Sequence, residues 1–221
     1  MSNEHRAACF DAMNASIAQL HSIDYPGDRA GETTASQETS SPARLPAGHA
    51  DIDEDAGRDA NMDLLIDWLP RNIPASDDTA IVHGDFRCDN MIFHPTEPKV
   101  IAVLDWELST LGHPLADFAY HAMMYRMPPE IVAGLGGANI VALGIPGEEE
   151  YAAAYAARTG RSSFDSYDFC VAFNFFRLAA IFHGIKGRVI RGTAASAHAK
   201  ARAEHFPTLA RLAREAMDAC R

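Results

Sequence analysis

Residues 80–107 read Ala80-Ile81-Val82, then His83-Gly84-Asp85-Phe86-Arg87-Cys88-Asp89-Asn90, then Met91-Ile92-Phe93. The turn His94-Pro95-Thr96-Glu97-Pro98 follows, then Val100-Ile101-Ala102-Val103-Leu104 and Asp105-Trp106-Glu107. Short apolar runs rich in β-branched residues, bounded by polar segments, predict three buried strands, the last two joined as a hairpin. Each polar loop follows a strand directly. With that pairing, both loops converge on one edge of a small sheet and gather Asp85, Asp89, Asn90, Asp105 and Glu107. Hard oxygen donors of this kind suit Mg²⁺ better than a soft metal. Mg²⁺ held by few protein oxygens completes its shell with phosphates and water, so the pattern points to nucleotide phosphate chemistry.

Outward from this core the chain reads as helical. Ala8, Met13, Ile17 and Leu20 recur at helical spacing over residues 5–22, and Tyr25-Pro26-Gly27 stops the pattern. A second helix covers Met62–Leu69. Beyond Pro114 the candidates are Leu115–Tyr125, Glu148–Thr159, Phe164–Arg191 and Ser196–Cys220. Between Pro26 and Asn61 the only large aliphatic residues are Leu45 and Ile52. That stretch cannot bury enough apolar surface to offset an ordering cost of roughly 1–2 kcal/mol per residue. The expected fold class is therefore α+β, a mainly helical body with a small sheet carrying polar loops.

Composition narrows the function. The 221 residues are 48% hydrophobic with a net charge of −11, which fits a globular domain and opposes binding to a phosphate backbone, so no nucleic-acid partner is expected. Apolar runs fall short of the ~20 residues of a membrane span, so no membrane partner is expected either. The charged start of the chain lacks a secretion signal. Cys9, Cys88, Cys170 and Cys220 form no C-x-x-C pair, and free thiols in such a chain point to a cytoplasmic location.

The spacing His83-x-Asp85-x-x-x-x-Asn90, with a strand ending in Asp105 fifteen residues further on, resembles the catalytic core of aminoglycoside phosphotransferases and choline kinases. These are relatives of protein kinases. The longer string VHGDFRCDNMIFHPTEPKVIAVLDWELSTLGHPLADFAY, residues 82–120, resembles the branch found beside or fused to acyl-CoA dehydrogenases. The resemblance implies ATP and Mg²⁺ as cofactors and a small-molecule hydroxyl as acceptor. It also implies an acyl-CoA dehydrogenase pathway partner and a hydroxyacyl-CoA or hydroxy acid as substrate. Asp85 takes the place of the catalytic base, and Arg87 that of a residue steadying the transferred group. Asn90 and Asp105 take the places of the Mg²⁺ and nucleotide ligands. His83, Glu107 and Asp117 are expected to support the loops.

The resemblance also implies an N-terminal lobe before this region. The residues preceding the first catalytic strand offer one helix and polar filler, so the chain is expected to be the C-terminal lobe of a protein-kinase-like phosphotransferase. Its parts would be the lobe's first helix at 1–25, a disordered or atypical insert at 26–60 (or a stretch translated in a shifted frame), and the phosphotransferase lobe at 61–221. Two other readings stay open. One is a non-catalytic kinase-like binding module. The other is a metal-dependent phosphohydrolase using His83, Asp85, Asp105 and His113.

Overall fold

The computed structural model describes residues 1–25, 54–76, 78–132, 134–162 and 164–220. The described residues fall into two compact units, 1–25 with 78–165 and 54–76 with 166–220. Most of the expected insert, residues 26–53, lies outside the described residues. Its end does not: Glu54–Ala56 form a 3₁₀ turn, and Asp59 caps the next helix by accepting from the amides of Asn61 and Met62 at 2.9 and 3.1 Å. That cap starts the helix at Ala60, ahead of the apolar pattern at 62.

In the first unit, α1 (Asn3–His21) begins at Ser2, whose side chain accepts from the amide of His5. It buries Met13, Ile17 and Leu20. Four short strands follow: β1 (Ala80–Val82), β2 (Met91–Phe93), β3 (Val100–Val103) and β4 (Thr110–Gly112). The expected hairpin β2–β3 is present, with Met91 opposite Val103. The expected single sheet is not. A fourth strand pairs with β1, Ala80 opposite Gly112, so the described residues form two separate two-stranded antiparallel sheets. The nesting of the pairs amounts to one long hairpin interrupted in both arms, by residues 83–90 and by residues 104–109. The strands are also less buried than their composition predicts: Ile92, Ile101 and Leu104 are 43%, 51% and 45% exposed.

Two helices complete this unit, α3 (Pro114–Ala122) and α4 (Glu148–Thr159). Three glutamates open α4, where the helix dipole favours them, and Gly160 ends it in the left-handed region at φ 68°. Phe118 of α3 stacks on Tyr155 of α4 at 4.1 Å between ring centres and meets Phe164 edge-on. Buried Asn14 joins α1 to α4, donating to the Tyr151 carbonyl at 2.8 Å and accepting from Arg158 at 2.7 Å.

The second unit is helical: α2 (Ala60–Trp68), α5 (Tyr167–Ile190), α6 (Ala199–Glu204) and α7 (Phe206–Ala219). The single helix expected over Ser196–Cys220 is two. Pro207 sits at the start of α7, where its missing N–H and ring end the preceding turn. Helix α5 is long and apolar enough to cross a membrane by length and composition, yet Phe175, Ala179 and Phe182 are buried, as are Leu209 and Ala213 of the α7 that packs along it. His183 and Lys186 of α5 donate to the carbonyls of Gly57 and Ala56 at 2.9 and 2.7 Å, tying the 3₁₀ turn to the helix.

Phe118 is fully buried and joined to three other aromatic rings, Tyr151, Tyr155 and Phe164. Phe118→Ala should lower stability by about 3–5 kcal/mol, measurable as a fall in the urea midpoint with unchanged slope.

Candidate active site

The site occupies the interruption of the hairpin, where neither arm has a strand partner and side chains take over the bonding. Asp117, on the first turn of α3, is 5% exposed and accepts from both His83 N and Gly84 N at 2.9 Å. Nε2 of His21, the last residue of α1, lies 3.1 Å from the same carboxylate. Burial opposes ionisation of Asp117. The bond and charge of His21, with the two amides, outweigh it and hold the carboxyl below the usual carboxylate range. His21 is fixed in turn by Tyr155, whose hydroxyl lies 2.7 Å from Nδ1.

Gly84 passes this anchor at φ 82°, and a Cβ there would meet the Leu108 carbonyl oxygen at 2.6 Å. Only glycine lets the two arms approach so closely. His83 is fully buried and bridges the arms: its Nδ1 accepts from Asp85 N at 3.2 Å and its Nε2 donates to Leu104 O at 2.9 Å. The proton therefore sits on Nε2, and both ring nitrogens are engaged within the protein. That leaves no nitrogen on His83 for a metal and removes one ligand of the phosphohydrolase reading. Trp106 packs against its ring at 4.8 Å between centres.

The bridge presents Asp85. Its carboxylate accepts from Arg87 Nε at 3.2 Å and from Asn90 Nδ2 at 3.0 Å on Oδ2, and from the Tyr120 hydroxyl on Oδ1. Arg87 also pairs with Asp89 at 3.3 Å. Asn90 is 7% exposed, and its amide nitrogen also donates to the Asp85 carbonyl at 2.9 Å. Both neighbours on that side are acceptors, so the amide must face them with its NH₂, and its Oδ1 is the end left for a cation. Leu104 N donates to Asn90 O at 2.8 Å, which ties the residue before Asp105 to Asn90. Asp105 is exposed and left-handed at φ 67°, a conformation that Asp tolerates better than most residues.

Thus Asp85, Arg87 and Asn90 meet through their side chains, His83 and Asp117 support their backbone, and Asp105 enters through the second arm. Glu107 is exposed on the 3₁₀ turn Trp106–Leu108 and makes no hydrogen bond or ion pair with the others. Among the described residues no three His, Cys, Asp or Glu side chains converge to hold a metal. Asn90 and Asp105 each carry an oxygen donor of the kind Mg²⁺ takes, an ion that draws most of its octahedron from phosphate and water. Cys88 is exposed at the loop's 3₁₀ turn. Desolvation of its sulfur and the charge of Asp89 push the thiol up, away from the nucleophilic thiolate.

Three members of the site escape the motifs. Tyr120 lies three residues after Asp117 on one helical face, a spacing that could have signalled it. His21 stands at the end of an ordinary amphipathic helix, and no sequence signal links it to residue 117. Trp106 is visible only as the neighbour of Asp105. His121, one turn after Asp117, lies 2.7 Å from the Tyr151 hydroxyl in the aromatic core. Burial drives its pKa down to about 4, so it is a neutral core histidine.

The model of the phosphotransferase enzyme family matches residues 1–170, and the chain belongs to that family. A crystal structure from Ralstonia eutropha JMP134, provisionally assigned as an aminoglycoside phosphotransferase, is 40% identical, with a TM-score of 0.81 over 98% of this chain and 66% of that one. The arrangement of helices and small antiparallel sheets is that of a kinase-like phosphotransferase. Acyl-CoA dehydrogenase family member 10 of Mus musculus is 39% identical over 94% of this chain and 20% of its own length. Acyl-CoA dehydrogenase family member 11 of Homo sapiens is 35% identical over 89% of this chain and 25% of its own. The chain thus spans about a quarter or less of the curated relatives it matches, and the resemblance to the branch linked with acyl-CoA dehydrogenases holds.

Two outcomes test this geometry. Gly84→Ala should expose the amides of residues 83 and 84 to rapid hydrogen exchange while leaving those of α5 protected. Stability should also fall on acidification in two stages. Unfolded His121 protonates near 6.5 whereas the folded ring resists until about 4, which favours unfolding by about 3 kcal/mol across that window. Asp117, held below the ordinary range, adds a further loss only below about pH 4, where the unfolded carboxyl protonates first. Urea midpoints from pH 7.5 to 3 measure both, and a flat profile between 6.5 and 4 would exclude the buried neutral imidazole.

Proposed function

We propose that this chain is the C-terminal lobe of an ATP- and Mg²⁺-dependent phosphotransferase that moves a phosphoryl group onto the hydroxyl of a small molecule. The observation that carries the reading is the Asp85 carboxylate, held by three donors at the mouth of the interrupted hairpin and still 18% exposed on its side chain. A general base must be fixed in place yet reachable by the hydroxyl it deprotonates. Asp85 meets both conditions. Asn90 Oδ1 and Asp105 would hold Mg²⁺, which when bound neutralises charge on the nucleotide phosphates. Arg87 is 38% exposed, close enough to steady an anionic group beside the base while its Nε keeps Asp85 oriented. His83 and Asp117 stay protein-bound and maintain the loop.

The names of the relatives suit an acceptor from acyl-CoA metabolism, such as a hydroxyacyl-CoA or hydroxy acid, and action alongside an acyl-CoA dehydrogenase; a cytoplasmic location rests on the free thiols alone. An aminoglycoside fits those names less well.

Asp85→Ala should lower phosphoryl transfer by about 10²–10⁴-fold while leaving Mg-ATP affinity, read by calorimetry, little changed. Asp105→Asn keeps the shape and the left-handed backbone but removes the charge facing the cation. It should weaken Mg-ATP binding more than Asn90→Ala does, because a neutral amide contributes only a dipole. Equal Mg-ATP affinity in the wild type and Asp105→Asn would remove Asp105 from the metal site.

A further inference from the structure

A carboxylate offers about four acceptor directions, two on each oxygen. At Asp85 three are filled. Oδ2 takes both Arg87 Nε at 3.2 Å and Asn90 Nδ2 at 3.0 Å, and Oδ1 takes the Tyr120 hydroxyl. One direction remains, and it is on Oδ1.

We infer that Tyr120 is a positioning residue that determines which lone pair of Asp85 receives the proton of the acceptor hydroxyl. This rests on the reading of Asp85 as the base. Arg87 and Asn90 saturate the oxygen on their side, so the acceptor must approach Oδ1. Tyr120 blocks one of its two directions and leaves the other. Without the phenol, Oδ1 has two open directions and a water can occupy either. The carboxylate is then held from one side only, and the base competes for solvent as well as substrate.

The placement of Tyr120 makes this anchor stiff. It lies three residues after Asp117 on α3, so both residues share the helix face toward the catalytic loop. Asp117 holds the amides of His83 and Gly84, and Tyr120 holds the side chain of Asp85. Backbone and carboxylate are thus referenced to one helix, which Phe118 fixes to Tyr155 on its other side. Tyr120→Phe removes the hydroxyl that holds the Asp85 carboxylate and leaves the Asp117 anchor of the backbone in place.

Tyr120→Phe in the full chain is the test, with Mg-ATP as donor and water as the acceptor probe. The expected result is a fall in kcat of about 10–100-fold, with KM for ATP unchanged and no further loss when the change is made in an Asp85→Ala background. The same variant, with Asp carboxyl groups labelled with ¹³C, should move the Asp85 resonance and leave that of Asp117 in place. An unchanged kcat, or an equal loss in the Asp85→Ala background, would overturn the inference. An unmoved Asp85 resonance would do so as well. If the wild type turns over no ATP, the lobe is inactive by itself, and the Asp85 resonance alone decides whether Tyr120 holds the carboxylate.

Discussion

The buried carboxylate of Asp117 is the constraint around which the site is arranged. An unpaired charge in that position would be prohibitively costly, and a buried carboxylate persists only where donors surround it. Here the donors are His21 from α1 and two successive amides from the turn after β1. Directly past those amides residue 84 turns through a left-handed backbone at φ 82°. The close approach to Leu108 then requires that it be glycine. One charge thereby ties together a helix end, a helix start and the catalytic turn.

The interrupted hairpin is the second half of the design. Regular pairing through residues 83–90 and 104–109 would have committed their inward-facing backbone groups to a ladder and left no room for functional side chains. Breaking the ladder frees those groups, and the protein satisfies several of them with side chains: His83 for Asp85 N and Leu104 O, Asn90 for Asp85 O. Strands resume on both sides, so the gap stays narrow. The same break leaves Ile92, Leu104 and Trp106 with substantial exposure, unusual for apolar residues so near a site.

Rigidity around Asp85 comes from bonds within its own loop together with one that runs across the fold to α3. Its side chain meets residues two and five positions away and one thirty-five positions away, while its amide meets His83. In phosphoryl transfer the protein contributes positioning and charge more than covalent chemistry, so a carboxylate held by several elements suits the proposed role.

The local chemistry was legible in the sequence because it lies within short spans. Asp85, Arg87 and Asn90 share one loop, and turn residues together with β-branched runs marked the β2–β3 hairpin. Helix existence was legible for the same reason, since 3.6-residue periodicity is a local signal. Strand β4 was not: Thr110-Leu111-Gly112 is too short and too polar to declare itself, and it exists because β1 needs a partner. Nor were the split at Pro207 and the helix start at Asp59 recognised, although Pro and Asp are known boundary residues. What only the tertiary structure decided is which distant groups meet. His21 and Asp117 are ninety-six residues apart, and Tyr120 and Asp85 thirty-five. Those pairings depend on how α1 and α3 pack across β1, a product of many weak apolar contacts that no local pattern encodes.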